Sequence, residues 1–499
     1  MSKFNSRLEQ FIYFGIAALI VWVPFPLGSN RPFLRSLVVC WVLALAMLWL
    51  FGWIAGTVRP APALRSSAVS LALLVGWLAV ILVQILPMPA DWLGMLSPAS
   101  LHAYQDSALG AIMPRLSISI ERNDSSQYLY LGVAYFSLIA LVLAIVDDRH
   151  KLQGLCLSIV LSGTIQAMVG ILLHFSGAEY DLFFKHISHA DAVTGGFVNR
   201  NSFAAFMEIC LGCGIGLMVA QFSEAPLRSI KQRLRWLINL LLSPKLVLRV
   251  LLIVMVLALI LTRSRMGNGA FFAATLSVGL LGLLLIRNSG RAITIFLISM
   301  IAFDILVIGS WFGVEKVAQR IEETTVTRSE RQSTGADEES LEERGIPASA
   351  TLTAWKDFPV FGAGSGTFAY LYPYYRPAEP VGFYEHAHND YAEFLLEGGM
   401  LGFGFLVFLY VTTMAKAVRA MSKAGDQRRR GIALGCVFAM LSIAIHMLVD
   451  MPLQVPANAI VMCAVISLSL LVAHGGRTSV RLNENAGREG QEKIRRSSS

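Results

Sequence analysis

The chain has 499 residues, 55% of them hydrophobic and only 15% charged. A soluble globular chain carries roughly a quarter charged residues, so this one has too little polar surface to cover a water-soluble globule. Its formal charge of +8 does not point to nucleic acid, because the basic residues gather in short loops between apolar runs, as in the positive-inside pattern of membrane proteins.

A bilayer core of about 30 Å takes about 20 apolar residues per helix. Runs of that length predict an all-α polytopic membrane protein of about twelve helices. They fall near 11–27, 34–55, 68–87, 127–146, 153–175, 203–222, 246–262, 268–286, 292–312, 391–413, 431–449 and 457–474. The first run follows Lys3 and Arg7 and stops at Pro24-Phe25-Pro26 with no A-x-A-like site, so it reads as a retained helix rather than a signal peptide. Cys40, Cys156, Cys210, Cys213, Cys436 and Cys463 all lie in apolar runs and read as small buried hydrophobes. Cys210-x-x-Cys213 lacks a second pair or nearby histidines at zinc spacing.

Loop charge sets the orientation. One set of loops holds Lys3 and Arg7, Arg59 and Arg65, Arg149 and Lys151, Arg228 to Lys245, Arg287 and Arg291, Lys416 to Arg430, and Arg477 to Arg496. The alternate short loops hold only pairs, such as Arg31 with Arg35 and Arg115 with Arg122. The first set is therefore expected on the cytoplasmic side, with both termini. The organisation expected is helices 1–5 within 1–190, with an outward loop at 88–126; helices 6–9 within 191–312; an outward loop at 313–390; helices 10–12 within 391–474; and a basic tail at 475–499. A third outward segment covers 176–202. Glu315 to Arg344 reads as a mobile or surface-helical stretch. A helical patch, a proline stop and a glycine turn follow between Ala350 and Phe368, then an aromatic stretch from Tyr370 to Tyr375 that suits either a membrane interface or sugar faces.

Against the charge trend, Arg263 and Arg265 sit in a short outward turn, and Arg200 sits just before a helix. Charges at membrane depth are costly and tend to mark function, and guanidinium grips phosphate through two parallel hydrogen bonds. Three arginines at one level could hold a pyrophosphate; snorkelling to lipid headgroups is the alternative. Glu385-His386-Ala387-His388-Asn389-Asp390 is the densest polar cluster beside a membrane helix. A histidine there could serve as a general base on a hydroxyl. A metal site using His386, His388 and Asp390 or Asp450 competes with that reading, and Asn389 and Asp390 are also good helix N-caps. Asp450 could approach the cluster and orient a histidine. Glu208, Asp304 and His446 are ionisable groups within apolar runs; a proton-coupled transporter would use such groups, but no inverted repeat is visible.

His388-Asn389, nine residues, Gly399, two residues, Gly402 resembles the signature of the O-antigen ligases. Gly195 to Ala204, Leu261 to Arg265, and Asp357-Phe358-Pro359 with Gly362 to Gly366 look like segments of the wider ligase and polymerase (Wzy_C-type) family. The resemblance covers about 190–410. It implies a GT-C-like fold of twelve helices in the bacterial inner membrane, with a large periplasmic loop between helices nine and ten. It also implies transfer of a glycan from undecaprenyl pyrophosphate to lipid A-core, a polysaccharide or a protein, without metal or ATP. On that pattern His388, with Asn389 and Asp390, is the expected catalytic segment. Arg200, Arg263 and Arg265 are the expected pyrophosphate ligands, and His386 and Asp450 supporting residues.

Overall fold

The computed structural model describes residues 7–108, 116–176, 192–221, 244–285, 341–377, 384–423 and 426–475. The helix expected at 292–312, Asp304, Arg287, Arg291 and the stretch 315–340 lie outside the described residues. Every other expected membrane helix has a counterpart. In chain order the helices are α1 (Arg7–Trp22), α2 (Pro32–Ile54), α3 (Pro62–Ser66), α4 (Ala68–Ile85), α5 (Ala90–Leu96), α6 (Pro98–Ala108), α7 (Arg122–Ile145) and α8 (Arg149–Ser176). They continue with α9 (Arg200–Ala220), α10 (Pro244–Leu261), α11 (Arg265–Leu285), α12 (Leu341–Trp355), α13 (Phe368–Tyr375), α14 (Asp390–Lys423), α15 (Gln427–His446) and α16 (Pro456–Gly475). Among the described residues nine helices are long and apolar enough to cross a membrane: α2, α4, α7, α8, α9, α11, α14, α15 and α16. The apolar part of α10, Leu246–Leu261, and the 16-residue α1 are shorter.

Two boundaries move for physical reasons. Helix α1 ends at Trp22 rather than near 27, because Pro24 has no N–H to continue the ladder and its ring would clash with the preceding turn. Helix α14, expected over 391–413, runs to Lys423. An apolar window stops at the edge of the bilayer, but hydrogen bonding within the helix does not. One cysteine also departs from expectation: Cys40 is exposed on α2, whereas the other five are buried.

The centre of the bundle is α9, whose apolar window is wholly buried inside the protein. It runs antiparallel to α15. Gln427 donates to the carbonyl of Val219 at one end, and Glu208 meets His446 towards the other. Glycines make this possible. Gly212 and Gly216 on α9 face Gly431 and Gly435 on α15, each pair spaced by four. A Cβ on Gly435 would lie 2.5 Å from the carbonyl oxygen of Gly212, and one on Gly431 would lie 2.4 Å from the amide nitrogen of Ala220. Small residues at this spacing let membrane helices approach to backbone contact. Around this seam, α8, α10 and α11 pack on α9, while α14 packs on α15 and α4.

At one end of the bundle the start of α9, the end of α10, the starts of α11 and α14, and the end of α15 converge. Val193 donates to the carbonyl of Leu261 at 3.1 Å, and a Cβ on Gly267 would meet Ala204 at 2.6 Å. Asn458 on α16 donates to the carbonyls of Ser202 (3.1 Å) and Pro452 (3.0 Å), and the Leu453 amide donates to Asp390 at 2.9 Å. A small second core sits over this end. It contains Ala350, Ala354, Phe358, Phe368, Leu371, Tyr372, Tyr384 and Leu396, and it holds α12 and α13 against α14.

Candidate functional site

The segment 384–390 enters α14 as a tight turn. Asn389 caps the helix: its Oδ1 accepts from the Ala392 amide at 3.0 Å, and its Nδ2 donates to the carbonyl of Leu448 at 2.8 Å. Asp390 does not cap. It is fully buried, its amide reaches the carbonyls of Met447 and Asp450, and its Oδ2 accepts from Leu453, while Oδ1 is buried without a hydrogen bond. His388 has φ 49°, in the left-handed region. That conformation costs a residue with a Cβ roughly 1–2 kcal/mol, so the surrounding contacts must hold it.

The two imidazoles face different carboxylates. His388 Nδ1 lies 3.5 Å from Asp450 Oδ1, with Asp450 almost wholly buried. Its ring meets Tyr384 edge to face, with centroids 5.6 Å apart, and Tyr384 meets Tyr372 in the same way. His386 Nδ1 is 2.7 Å from Glu393 Oε1, while Glu393 Oε2 accepts the Ala387 amide at 2.7 Å. Asp450 lies beyond the end of α15, in the turn after His446, rather than on the helix itself. His386 and His388 thus face separate carboxylates. Among the described residues no group of three or more His, Cys, Asp or Glu side chains is placed to hold a metal ion.

Further along, α14 breaks at Gly399 (φ 61°, ψ −172°). The break is filled by the glycine-rich strap that follows α12. The amides of Ala363 and Gly364 donate to the carbonyls of Leu396 and Glu397, and the amides of Met400 and Leu401 donate to the carbonyls of Pro359 and Val360. Each backbone thus satisfies the groups that the other leaves open. Neither glycine can change. A Cβ on Gly399 would lie 2.3 Å from the carbonyl oxygen of Val360, and one on Gly362 (φ 75°) would lie 2.2 Å from that of Glu397. The Glu397 carboxylate accepts from the Phe368 amide at 3.4 Å. Gln84 on α4 donates to the carbonyls of Phe361 and Glu397. Gly402, the second signature glycine, has ordinary room: a Cβ there would lie 3.6 Å from Val80, an easy van der Waals distance. The aromatic stretch after the strap is the short helix α13. Tyr370 donates to Asp124 at 2.9 Å, which pushes its phenol up to about 12, and burial pushes the Tyr372 phenol up.

The arginines lie on two adjoining turns at this same end. Asn199 caps α9 by accepting the Asn201 amide at 2.7 Å, placing the half-buried Arg200 in its first turn. Gly195 has φ 55°, and Gly196 donates to Gln166 and packs on the carbonyls of Pro24 and Phe25, which fixes that turn against the end of α1. Arg263 (φ 53°) and Arg265 are exposed on either side of Ser264, whose hydroxyl caps α11 by accepting the Gly267 amide at 3.1 Å. The Val193–Leu261 hydrogen bond joins the two turns.

Below this layer, Glu208 Oε1 and His446 Nδ1 are 2.7 Å apart, and Ser442 donates to the other oxygen of Glu208; all three side chains are fully buried. The structure therefore gives partners to a carboxylate that the sequence left unassigned. It also adds Glu393, Glu397, Gln84 and Tyr384, which the sequence did not single out. A signal existed for two of them. Asn389, Glu393 and Glu397 are spaced by four, so they share one face of α14.

No curated protein matches the chain. The family model described as O-antigen ligase (Wzy_C) matches residues 250–407, which include Arg263, Arg265, the glycine strap, the histidine turn and the break in α14. That segment, about a third of the chain, is similar to the O-antigen ligase family.

Proposed function

We propose that this protein transfers a glycan from undecaprenyl pyrophosphate to an acceptor hydroxyl, on lipid A-core or a growing polysaccharide, at the periplasmic face of the bacterial inner membrane. The observation that carries the reading is the partly buried His388, its Nδ1 3.5 Å from the buried Asp450 carboxylate, on the end of the bundle that also bears Arg200, Arg263 and Arg265. With Asp450 on Nδ1, His388 presents Nε2 to the acceptor. Nε2 takes the hydroxyl proton as the new carbon–oxygen bond forms at the anomeric carbon. The bond from that carbon to the pyrophosphate oxygen breaks, and its electron pair leaves with the diphosphate. The arginines hold the charge that grows there. Attack opposite the carrier inverts the anomeric centre. A sugar pyrophosphate is already activated, so the step calls on no nucleotide and no metal.

The test is transfer by purified protein from a lipid-pyrophosphate glycan to acceptor, in EDTA. Wild type is expected to turn over and His388→Ala to lose roughly a hundredfold or more. Full activity in His388→Ala would remove the assignment. Glycan from a deletion strain separates the two acceptors. Uncapped lipopolysaccharide with intact polymer means ligase, and single repeat units left on the carrier mean polymerase. Of the two groups a transporter would use, Glu208 is engaged by His446 and Ser442, and Asp304 lies outside the described residues.

A further inference from the structure

His388 is suspended between two anchors. On the downstream side Asn389 is tied to Leu448, and Asp390 to Met447 and Asp450. On the upstream side a single carboxylate does the work. Glu393 is almost wholly buried, and it accepts the Ala387 amide with one oxygen while the other meets the His386 ring, each at 2.7 Å. Those are the two residues immediately before the left-handed backbone of His388. An ordinary capping contact would satisfy one amide; this one joins the ring and the backbone of consecutive residues through one rigid group. A carboxylate offers two acceptor oxygens, whereas the isosteric amide offers one and turns a donor towards the other partner.

We infer that Glu393 is a positioning residue of the site. Its carboxylate clamps His386 and Ala387, so that the His388 backbone stays left-handed and its ring stays opposite Asp450. The inference rests on the role proposed for His388. Without the clamp, the residues before His388 are free to relax towards ordinary backbone angles, and the ring swings away from Asp450. Loss of orientation at a reacting group lowers turnover rather than substrate binding.

The experiment compares wild type, Glu393→Gln, Glu393→Asp and His388→Ala in the transfer assay, with thermal unfolding of each purified protein. Glu393→Gln is expected to lower kcat roughly ten- to hundredfold with KM for donor and acceptor within about twofold, at an unchanged unfolding midpoint. Glu393→Asp keeps both oxygens on a shorter arm and is expected to recover part of kcat; if the Gln variant does not fold, the Asp variant carries the test by the same kcat-against-KM split. Wild-type kcat in a folded Glu393→Gln protein overturns the inference. So does a loss of activity that only follows the loss of folded protein. An inactive His388→Ala beside a fully active Glu393→Gln removes this inference alone, whereas an active His388→Ala removes the proposed function beneath it.

Discussion

Two regions of the molecule depend on glycine for different reasons. In the α9–α15 seam, glycines with ordinary helical backbones are needed because a side chain would separate two helices in backbone contact. At the break in α14, Gly399 and Gly362 are needed twice over: their φ angles are 61° and 75°, and each lies against the backbone of the other segment. The seam is a matter of space. The interlock is a matter of space and backbone angle together, and it fixes where the histidine turn and the glycine strap meet.

Gly399→Ala should therefore do the greatest damage, on the order of 3–5 kcal/mol, because it combines strain with a backbone clash that no side chain can relieve. Thermal unfolding in detergent checks this; a midpoint equal to wild type would mean the interlock is not rigid. Gly435→Ala should cost less, about 2 kcal/mol, since overpacking is partly offset by roughly 1 kcal/mol of helix propensity. Should it equal Gly399→Ala, backbone angle adds nothing to the distinction. Glu208→Gln asks whether the seam also relies on its buried pair. It keeps an acceptor for one partner and turns an amide donor towards the other, so about 1–2 kcal/mol is expected. No change in midpoint would leave backbone contact as the whole of the seam. The smallest effect belongs to Gly404→Ala. Nothing lies within 4 Å of a Cβ there, so a gain of roughly 0.5–1 kcal/mol is expected from propensity alone. Gly402→Ala should lie near it, separating the two signature glycines by their geometry.

Much of the scaffold was legible in the sequence. Apolar runs located the membrane helices because hydrocarbon demands about 20 apolar residues per crossing, wherever the neighbours are. The glycine pairs of the seam were also there to be found, since a spacing of four marks one helix face. The site was legible only in its parts. His388, Asn389 and Asp390 stood out by density and pattern, and Arg200, Arg263 and Arg265 by their departure from the charge trend. Asn389 does cap α14, whereas Asp390 turns inward to Leu453.

By itself the sequence determined a multi-pass helical membrane protein, the helix that begins at the histidine turn, and the residue types suited to acid–base and phosphate chemistry. Composition and local spacing suffice for these, because each depends on the chain's immediate surroundings. Only the tertiary structure decided that His388 faces Asp450 while His386 faces Glu393, that Glu208 belongs to His446, and that the break at Gly399 is filled by a strap starting some forty residues earlier at about Pro359. Such pairings join distant segments, and a sequence shows which groups must be satisfied long before it shows which groups will satisfy them.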